Sequence, residues 1–393
     1  VLLIGAGLLV RSLVHLVRTD TGVRTEGVLT FQLAPPQVVS PGPTGAPVSR
    51  AQTRAELRNF YDLVLQGLAR LPRVEAVGGV NLLPFTFNQM YGFKRDDRPA
   101  QPGIPAMAEV RLAEPGYFAS VGIRQISGRP LDERDTGGAP AVIDVDEEFA
   151  RIVFPGEDPI GRRITIEWSG GVESVSYEIV GVVGSVRQLG PALPPSPTVY
   201  LHRGHDSSPY WMHFAHTITV RTAGDPLALA RDARNVVWSI DRTVPITEVA
   251  PLERLLDRHV AGARYRMLLI GAFALLATVL AAVGIGGIVA YTVAQRGREL
   301  GIRQALGAAP ADVVRMVLGE GVRLAAFGVT GGLVLAVFGT RLLQTFLFGV
   351  DAADPLTFGA VALALAAIAL AAAWIPARRA TRVRPSDALR REA

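Results

Sequence analysis

The sequence predicts an α-helical membrane bundle joined to a large α+β domain on the outer side of the membrane. Three observations carry this reading. The 393 residues are 49% hydrophobic and only 19% charged, which is too apolar for a water-soluble chain. Three uncharged apolar runs fall in the last third, at residues 267–295, 324–340 and 355–377, and about 20 apolar residues suffice to cross a bilayer. Residues 20–262, by contrast, alternate between strand and helix periods and are broken by segments rich in Pro and Gly.

Residues 1–19 open the chain with an apolar stretch interrupted by Arg11. They lack the basic start and small-residue cleavage site of a signal peptide. They read as the outer end of a first membrane helix whose beginning precedes Val1, so the sequence corresponds to a piece of a longer polypeptide.

Residues 20–262 form the outer domain. A strand is predicted over 27–34, an amphipathic helix over 49–71 and a returning strand over 74–82, with Leu57, Phe60, Tyr61, Val64, Leu65 and Leu68 at helical spacing. The pattern recurs later, with a strand at 216–222, a helix at 226–240 opened by an Asp cap, and a strand at 244–249. Two β-α-β repeats parted by an insertion predict a split ferredoxin-like module. The insertion, at about 84–212, reads as a β-rich subdomain with strands at 142–145, 163–168, 177–183 and 198–201. From Pro251 onward nothing breaks a helical pattern before the next apolar run, so the domain joins the membrane through one continuous stalk.

The remaining spans are placed at about 267–294, 324–348 and 355–377 within a membrane domain of 263–393. Arg296, Arg298, Arg303, Arg315 and Arg323 lie in and beside the loop 295–320, and six arginines fill the tail 378–393. The positive-inside bias puts the loop and tail in the cytoplasm and the domain 20–262 outside. Gly284, Gly286 and Gly287 in one span, and the Gly328/Gly332 pair in the next, are read as sites of close helix packing.

The outer portion carries 24 Lys/Arg against 28 Asp/Glu, so it offers no basic face for nucleic acid. There is no cysteine, which removes disulfides and thiolate chemistry. The one lysine, Lys94, follows Phe93 and not Gly, so the sequence holds no P-loop. It contains neither a Gly-x-Ser-x-Gly elbow nor a His-Glu-x-x-His motif, and no catalytic residue or cofactor is assigned. His202/His205 and His213/His216 have metal-like spacing near Asp206, but they lie in a broken polar stretch and are read as solvated. Asp144, Asp146, Glu147 and Glu148 are read as a helix cap and first turn in preference to a calcium site. No ionisable residue interrupts the three runs apart from the marginal Arg341, which argues against conduction of a polar solute between them.

One resemblance covers essentially the whole chain. RGRELGIRQALGA at 296–308, two further spans, and PARRATRVRPSDALR at 376–390 resemble the MacB/FtsX-like family of ABC transporter permeases. PGYFASVGIRQISGRPL at 115–131, VDEEFARIVFPGEDPIGRRI at 145–164 and YEIVGVVGSVR at 177–187 are similar to the periplasmic core domain of that family. The pattern is most similar to duplicated permeases of the acidobacterial type, with this chain as the C-terminal half. It departs from the family at Asp146, where Asn is common, and at Ser185, where Asp is common.

The resemblance implies an α+β periplasmic domain on a bacterial inner-membrane protein that is not itself an enzyme. It implies a MacB-type ABC ATPase subunit as partner, together with a second permease half or homodimer mate and a periplasmic adaptor. Arg296, Arg298, Glu299, Leu300, Gly301, Arg303 and Ala305 would form the coupling helix. The system would serve efflux or mechanotransmission. A membrane-anchored periplasmic ligand-binding sensor is the alternative.

Overall fold

A computed structural model describes residues 1–34, 50–98, 107–168, 173–205, 216–296, 309–342, 344 and 347–380. The chain divides into two compact units: residues 19–259, and residues 1–18 with 260–393.

The unit 19–259 is built on strands β1 (Val28–Leu33), β2 (Val74–Val80), β10 (His216–Thr222) and β11 (Ile246–Pro251), in the antiparallel order β11–β1–β10–β2. Helices α2 (Arg50–Ala69) and α5 (Ala230–Ile240) cover one face. The cause is period matching: Leu29, Phe31 and Leu33 alternate along β1, while Leu57, Tyr61, Val64 and Leu68 line one side of α2, and all are buried together. Asp225 accepts from the Leu227 N–H at 2.9 Å and starts the 3-10 turn Pro226–Leu229 that leads into α5. The opposite face is covered by the short helix α3 (Tyr117–Val121), whose Tyr117, Phe118 and Val121 pack with Val28, Val80 and Leu252.

The insertion holds β3 (Met90–Arg95), β4 (Met107–Ala113), β5 (Gln125–Gly128), β6 (Val142–Asp146), α4 (Glu147–Val153), β7 (Arg163–Glu167), β8 (Val175–Val183) and β9 (Thr198–His202). The pairings run β4–β3–β7–β8–β6–β9, and β9 pairs back with β4 in parallel, so six strands close a ring. Tyr91, Phe93, Val110, Ile143, Phe149, Ile164 and Ile179 are among the side chains that fill it. β5 adds to β8 outside the ring, and β4 also meets β2 at Val80–Ala113. The sequence pattern missed β3, β4 and β5.

In the other unit, α1 (Leu2–Arg18), α6 (Glu253–Gln295), α7 (Pro310–Arg341) and α8 (Pro355–Ala380) supply the helices. The helices α6, α7 and α8 are long and apolar enough to cross a membrane. Ile4 and Leu8 of α1 pack on Ala336 of α7 and Val361 of α8. α6 leaves Leu268, Phe273, Leu276, Val279, Leu280 and Val283 exposed, a surface suited to lipid or to further helices.

Two glycines set how closely β2 approaches α3. A Cβ on Gly116 would lie 1.9 Å from the Val77 carbonyl oxygen, and one on Gly78 would lie 2.3 Å from the Tyr117 nitrogen. Gly116→Ala is therefore expected to force the elements apart and cost about 3 kcal/mol, as overpacking does. A lowered urea midpoint for unfolding of this domain measures it. Gly138→Ala, where nothing lies within 4 Å, is the neutral control.

Candidate functional site

α6 ends and α7 begins at one face of the membrane unit. α6 ends at Gln295, and the Arg296 N–H still donates to the Thr292 carbonyl at 3.0 Å. Of the predicted coupling residues only Arg296 is described; Arg298, Glu299, Leu300, Gly301, Arg303 and Ala305 lie outside the described residues. The chain resumes at Ala309, extended, with Pro310 at the first helical position of α7 and Asp312 in its first turn. Proline needs no N–H partner there, and the carboxylate complements the helix dipole.

Three helices meet just inside this face. Val289 of α6, Val317 of α7, and Ala373 and Ala377 of α8 form a buried cluster, flanked by Ile285, Val293, Val314 and Leu318. Small residues permit the approach. A Cβ on Gly321 would lie 2.9 Å from the Ala373 Cβ, and one on Gly286 would lie 3.4 Å from the Ala372 carbonyl oxygen. The packing expected at the other glycines is not found within the chain. Gly284, Gly287, Gly328 and Gly332 have no neighbour within 4 Å of a built Cβ among the described residues. On α6 the reason is angular, because Gly286 shares a helical stripe with Val289 and Val293, and Gly284 and Gly287 fall beside it. Gly321, Gly7, which packs against Thr357, and Gly349, which packs against His15, are among the close approaches that sequence reading missed.

Along the outside of that cluster α7 and α8 leave a groove of about 610 Å³. Val314, Leu318 and Val322 line it, with Arg315, Trp374 and Arg378. The Arg378 guanidinium lies 4.2 Å from the Trp374 ring centroid, a cation–π contact.

At the opposite ends of these helices α1 is tied to α8. Arg11 pairs with Asp354, whose carboxylate also accepts from the Thr357 N–H at 2.9 Å and hydroxyl at 2.6 Å. The Thr357 hydroxyl, burial, the Thr357 N–H and Arg11 act together on Asp354, with the net effect of lowering its pKa. The Ser12 hydroxyl accepts from the Phe348 N–H at 2.8 Å. Arg11 interrupts the apolar pattern of α1 because it makes this contact.

In the other unit the histidines do not gather. His202 is buried, and its Nδ1 accepts from the Gly204 N–H at 2.9 Å. Desolvation, then the Arg203 charge, lowers its pKa to about 4, so it is neutral. His205 Nε2 meets the Ala139 carbonyl at 2.8 Å, and His216 packs against Tyr61 with ring centroids 5.4 Å apart. His202, His205 and His216 are thus buried, where the sequence predicted solvated side chains, because each sits in or beside a core strand. His213 and Asp206 lie outside the described residues. Arg203 and Arg111, each 1% exposed, were not singled out by sequence. Arg203 pairs with Glu114 and lies 4.3 Å over the Tyr61 ring, and Arg111 pairs with Glu109 at 2.8 Å.

The four acids at 144–148 diverge. Asp144 and Asp146 point into the protein, Glu148 pairs with Arg151 at 2.6 Å, and Glu147 is exposed. Asp146 caps α4 as expected, accepting from the Phe149 N–H at 2.8 Å and the Thr198 N–H at 2.9 Å. Burial pushes both Asp144 and Asp146 up to about 7. Ser185 hydrogen-bonds with the Asp146 carboxyl.

Residues 21–236 match the MacB-like periplasmic core domain, and residues 271–385 match the FtsX-like permease C-terminal domain. The chain belongs to the MacB/FtsX-like family of ABC transporter permeases. As a member it is an inner-membrane protein with a periplasmic domain. The curated macrolide export ATP-binding/permease proteins MacB of Escherichia coli (strain K12) and Shigella flexneri are each 26% identical to it over 293 residues. That match covers 70% of this chain and 42% of each relative, so the chain spans about two fifths of their length. The periplasmic region of MacB from Actinobacillus actinomycetemcomitans aligns at 12% identity with a TM-score of 0.34, covering 58% of this chain and 90% of that one. The extracellular domain of the noncanonic ABC-type transporter YknZ from Gram-positive bacteria aligns at 12% identity and a TM-score of 0.29, covering 47% and 87%.

The buried acids make the stability of the periplasmic domain pH-dependent. Folded Asp144 and Asp146 keep their protons up to about pH 7, whereas the unfolded chain releases them near its ordinary value of 3.8. The folded state therefore binds more protons between pH 4 and 7, and stability falls as pH rises through that window. Asp146→Asn keeps the cap and removes one titration. Its melting temperature is expected to fall less steeply from pH 4 to pH 8 than that of the wild type, measured by thermal scans across that range.

Proposed function

We propose that this chain is the permease component of an ABC-type efflux or mechanotransmission system, in which a separate cytoplasmic ATPase drives movement of the periplasmic domain. Family membership and the course of α6 carry the reading. α6 runs as one helix from Glu253, next to β11, to Gln295, next to the cytoplasmic segment. A helix without a break can pass displacement along its axis. The apolar runs 267–295, 324–340 and 355–377 contain no Asp, Glu, Lys, Arg or His, which favours transmission over conduction.

The protein itself hydrolyses nothing in this reading. Lys94 lies on β3 of the periplasmic domain, so it is not a P-loop lysine. The partner is a MacB-type ABC ATPase subunit, and Arg296, Arg298, Glu299, Leu300, Gly301, Arg303 and Ala305 form the segment that engages it. A second permease half or homodimer mate completes the membrane unit, with Gly284, Gly287, Gly328 and Gly332 as candidate contacts between helices of the two halves. A periplasmic adaptor would bind the outer domain. The order β11–β1–β10–β2, with α2 and α5 on one face, supports a split ferredoxin-like unit interrupted by the β-rich subdomain.

Charge reversal tests the coupling segment. Glu299→Arg and Arg303→Glu are expected to weaken the permease–ATPase complex about tenfold or more, as loss of interfacial charge pairs does. ATP turnover stimulated by the permease should fall with it, and membrane insertion should be unchanged. Co-purification and turnover at wild-type level in both variants would reject this segment as the docking element.

A further inference from the structure

We propose that the turn at residues 185–193 is a clasp that yokes the two chain connections of the periplasmic domain, holding the segment that follows α1 and the first turns of α6 at one fixed separation. The clasp deepens the transmission reading and rests on it for its use, because it makes α1 and α6 act on the domain as a pair.

The chain enters the unit 19–259 through the residues ahead of β1 and leaves it through the first turns of α6. The two segments are tied once at the sheet, where the Leu252 N–H donates to the Val28 carbonyl at 2.9 Å beside the β1–β11 pairing. A single tie is a pivot, and two segments joined at one point can still swing apart. From Leu252 to His259 a helix rises about 10 Å, so a second tie at His259 has the leverage to stop that swing. Further contacts act at the sheet end of the first segment. The Arg24 N–H donates to the Val121 carbonyl at 2.8 Å, and the Arg221 guanidinium to the Arg24 and Glu26 carbonyls at 2.9 and 3.1 Å. The clasp acts farther out, at residues 20–22.

The turn holds both segments at once. On the first, the Arg187 N–H donates to the Thr21 carbonyl at 3.0 Å, and the Arg187 side chain donates to the Asp20 carbonyl at 3.3 Å and the Leu193 carbonyl at 2.6 Å. Gly22, at φ +81°, lies so close that a Cβ on it would stand 2.0 Å from the Ser185 carbonyl oxygen. On the second, Gly190, at φ +108°, brings the turn against α6, and a Cβ there would stand 2.8 Å from His259 Cδ2. The His259 ring also lies beside Phe85, with centroids 5.9 Å apart, and the Phe85 N–H donates to the Gln188 carbonyl at 2.7 Å. The imidazole is thus gripped by two residues whose backbones are bonded together. Between the segments, Val186 is buried in the cluster that takes in Val23, Leu252 and Leu255. The turn is itself stiff. Pro191, Pro194, Pro195 and Pro197 fix φ along it, and the buried Gln188 amide donates to the Tyr200 hydroxyl on β9 at 3.1 Å.

The sequence has no cysteine, so two introduced thiols can be labelled without background. Spin labels at Arg18→Cys and Asp257→Cys, both exposed positions, report the separation by electron spin resonance on the full chain in nanodiscs. The labelled chain with the clasp intact is expected to give one narrow distance distribution. Gly22→Ala and Gly190→Ala should each widen it about twofold, as overpacking displaces the backbone. Gly161→Ala is the control for strain alone, since Gly161 also has a positive φ, +76°, but nothing within 4 Å of a built Cβ; it should leave the width unchanged. Arg187→Ala removes only the two side-chain bonds and should widen the distribution in a domain that still melts cooperatively. A narrow distribution in both Gly22→Ala and Arg187→Ala would overturn the proposal by showing that the tie at the sheet suffices. A broad distribution with the clasp intact, or equal widening in Gly161→Ala, would overturn it as well. No ATPase is present in the measurement, so failure of the coupling segment at 296–305 and failure of the clasp are read separately.

Discussion

In hydrocarbon a backbone amide has only its own helix to bond with, and this one constraint shapes everything in the membrane unit. It requires α6, α7 and α8 to be continuous helices through their apolar runs. It also governs the few polar side chains there. Thr278 donates to the Ala274 carbonyl at 2.6 Å, Thr292 to Ile288 at 2.9 Å and Thr340 to Ala336 at 2.8 Å. Each of these three hydroxyls is satisfied one turn back on its own helix. The helices are held by shape, through Gly321 on Ala373 and Gly286 on Ala372, and by charge where α1 meets α8 at Arg11 and Asp354.

The periplasmic domain solves the opposite problem. Water covers its outside, and its interior carries charge. Arg203 with Glu114 and Arg111 with Glu109 lie where the four-stranded sheet meets the closed ring. Burying such pairs returns little net stability, because desolvation offsets most of the attraction. Breaking one leaves a charge stranded, so the pairs penalise any arrangement in which sheet and ring are misaligned. The carboxyl groups of Asp144 and Asp146 avoid the same cost by staying protonated up to about pH 7.

What could be read from the sequence was what depends on neighbours in the chain. The period of α2, the alternation of β1 and β10, the Asp225 and Asp146 caps and the three apolar runs are all local signals. The ring was legible only in part. β4 joins β9 across 84 intervening residues, between Ala113 and Thr198 at their nearest ends, and no local pattern encodes such a parallel closure. β3 is short and carries Lys94 and Arg95 among Tyr91 and Phe93, so its alternation is easily lost. The buried arginines escaped notice because burial of a guanidinium is decided by a partner far away in sequence. The sequence marked five of the membrane glycines, but only the facing of each helix separates Gly286 from the other four. For the coupling segment, Arg296 alone falls among the described residues, and its role rests on sequence.

β4 is held in common by two assemblies. Around the Val80–Ala113 pair the Asn81 N–H donates to the Leu112 carbonyl at 3.0 Å and the Glu114 N–H to the Gly79 carbonyl at 2.9 Å, which ties β4 to the sheet, and along its length β4 is also a stave of the barrel. A hinge needs a seam with little crossing it, and here the seam is itself a strand. Tilting the sheet would drag the barrel with it, as the handle of a spanner carries its jaw. Sheet and barrel thus share a strand where a flexible linker could have stood.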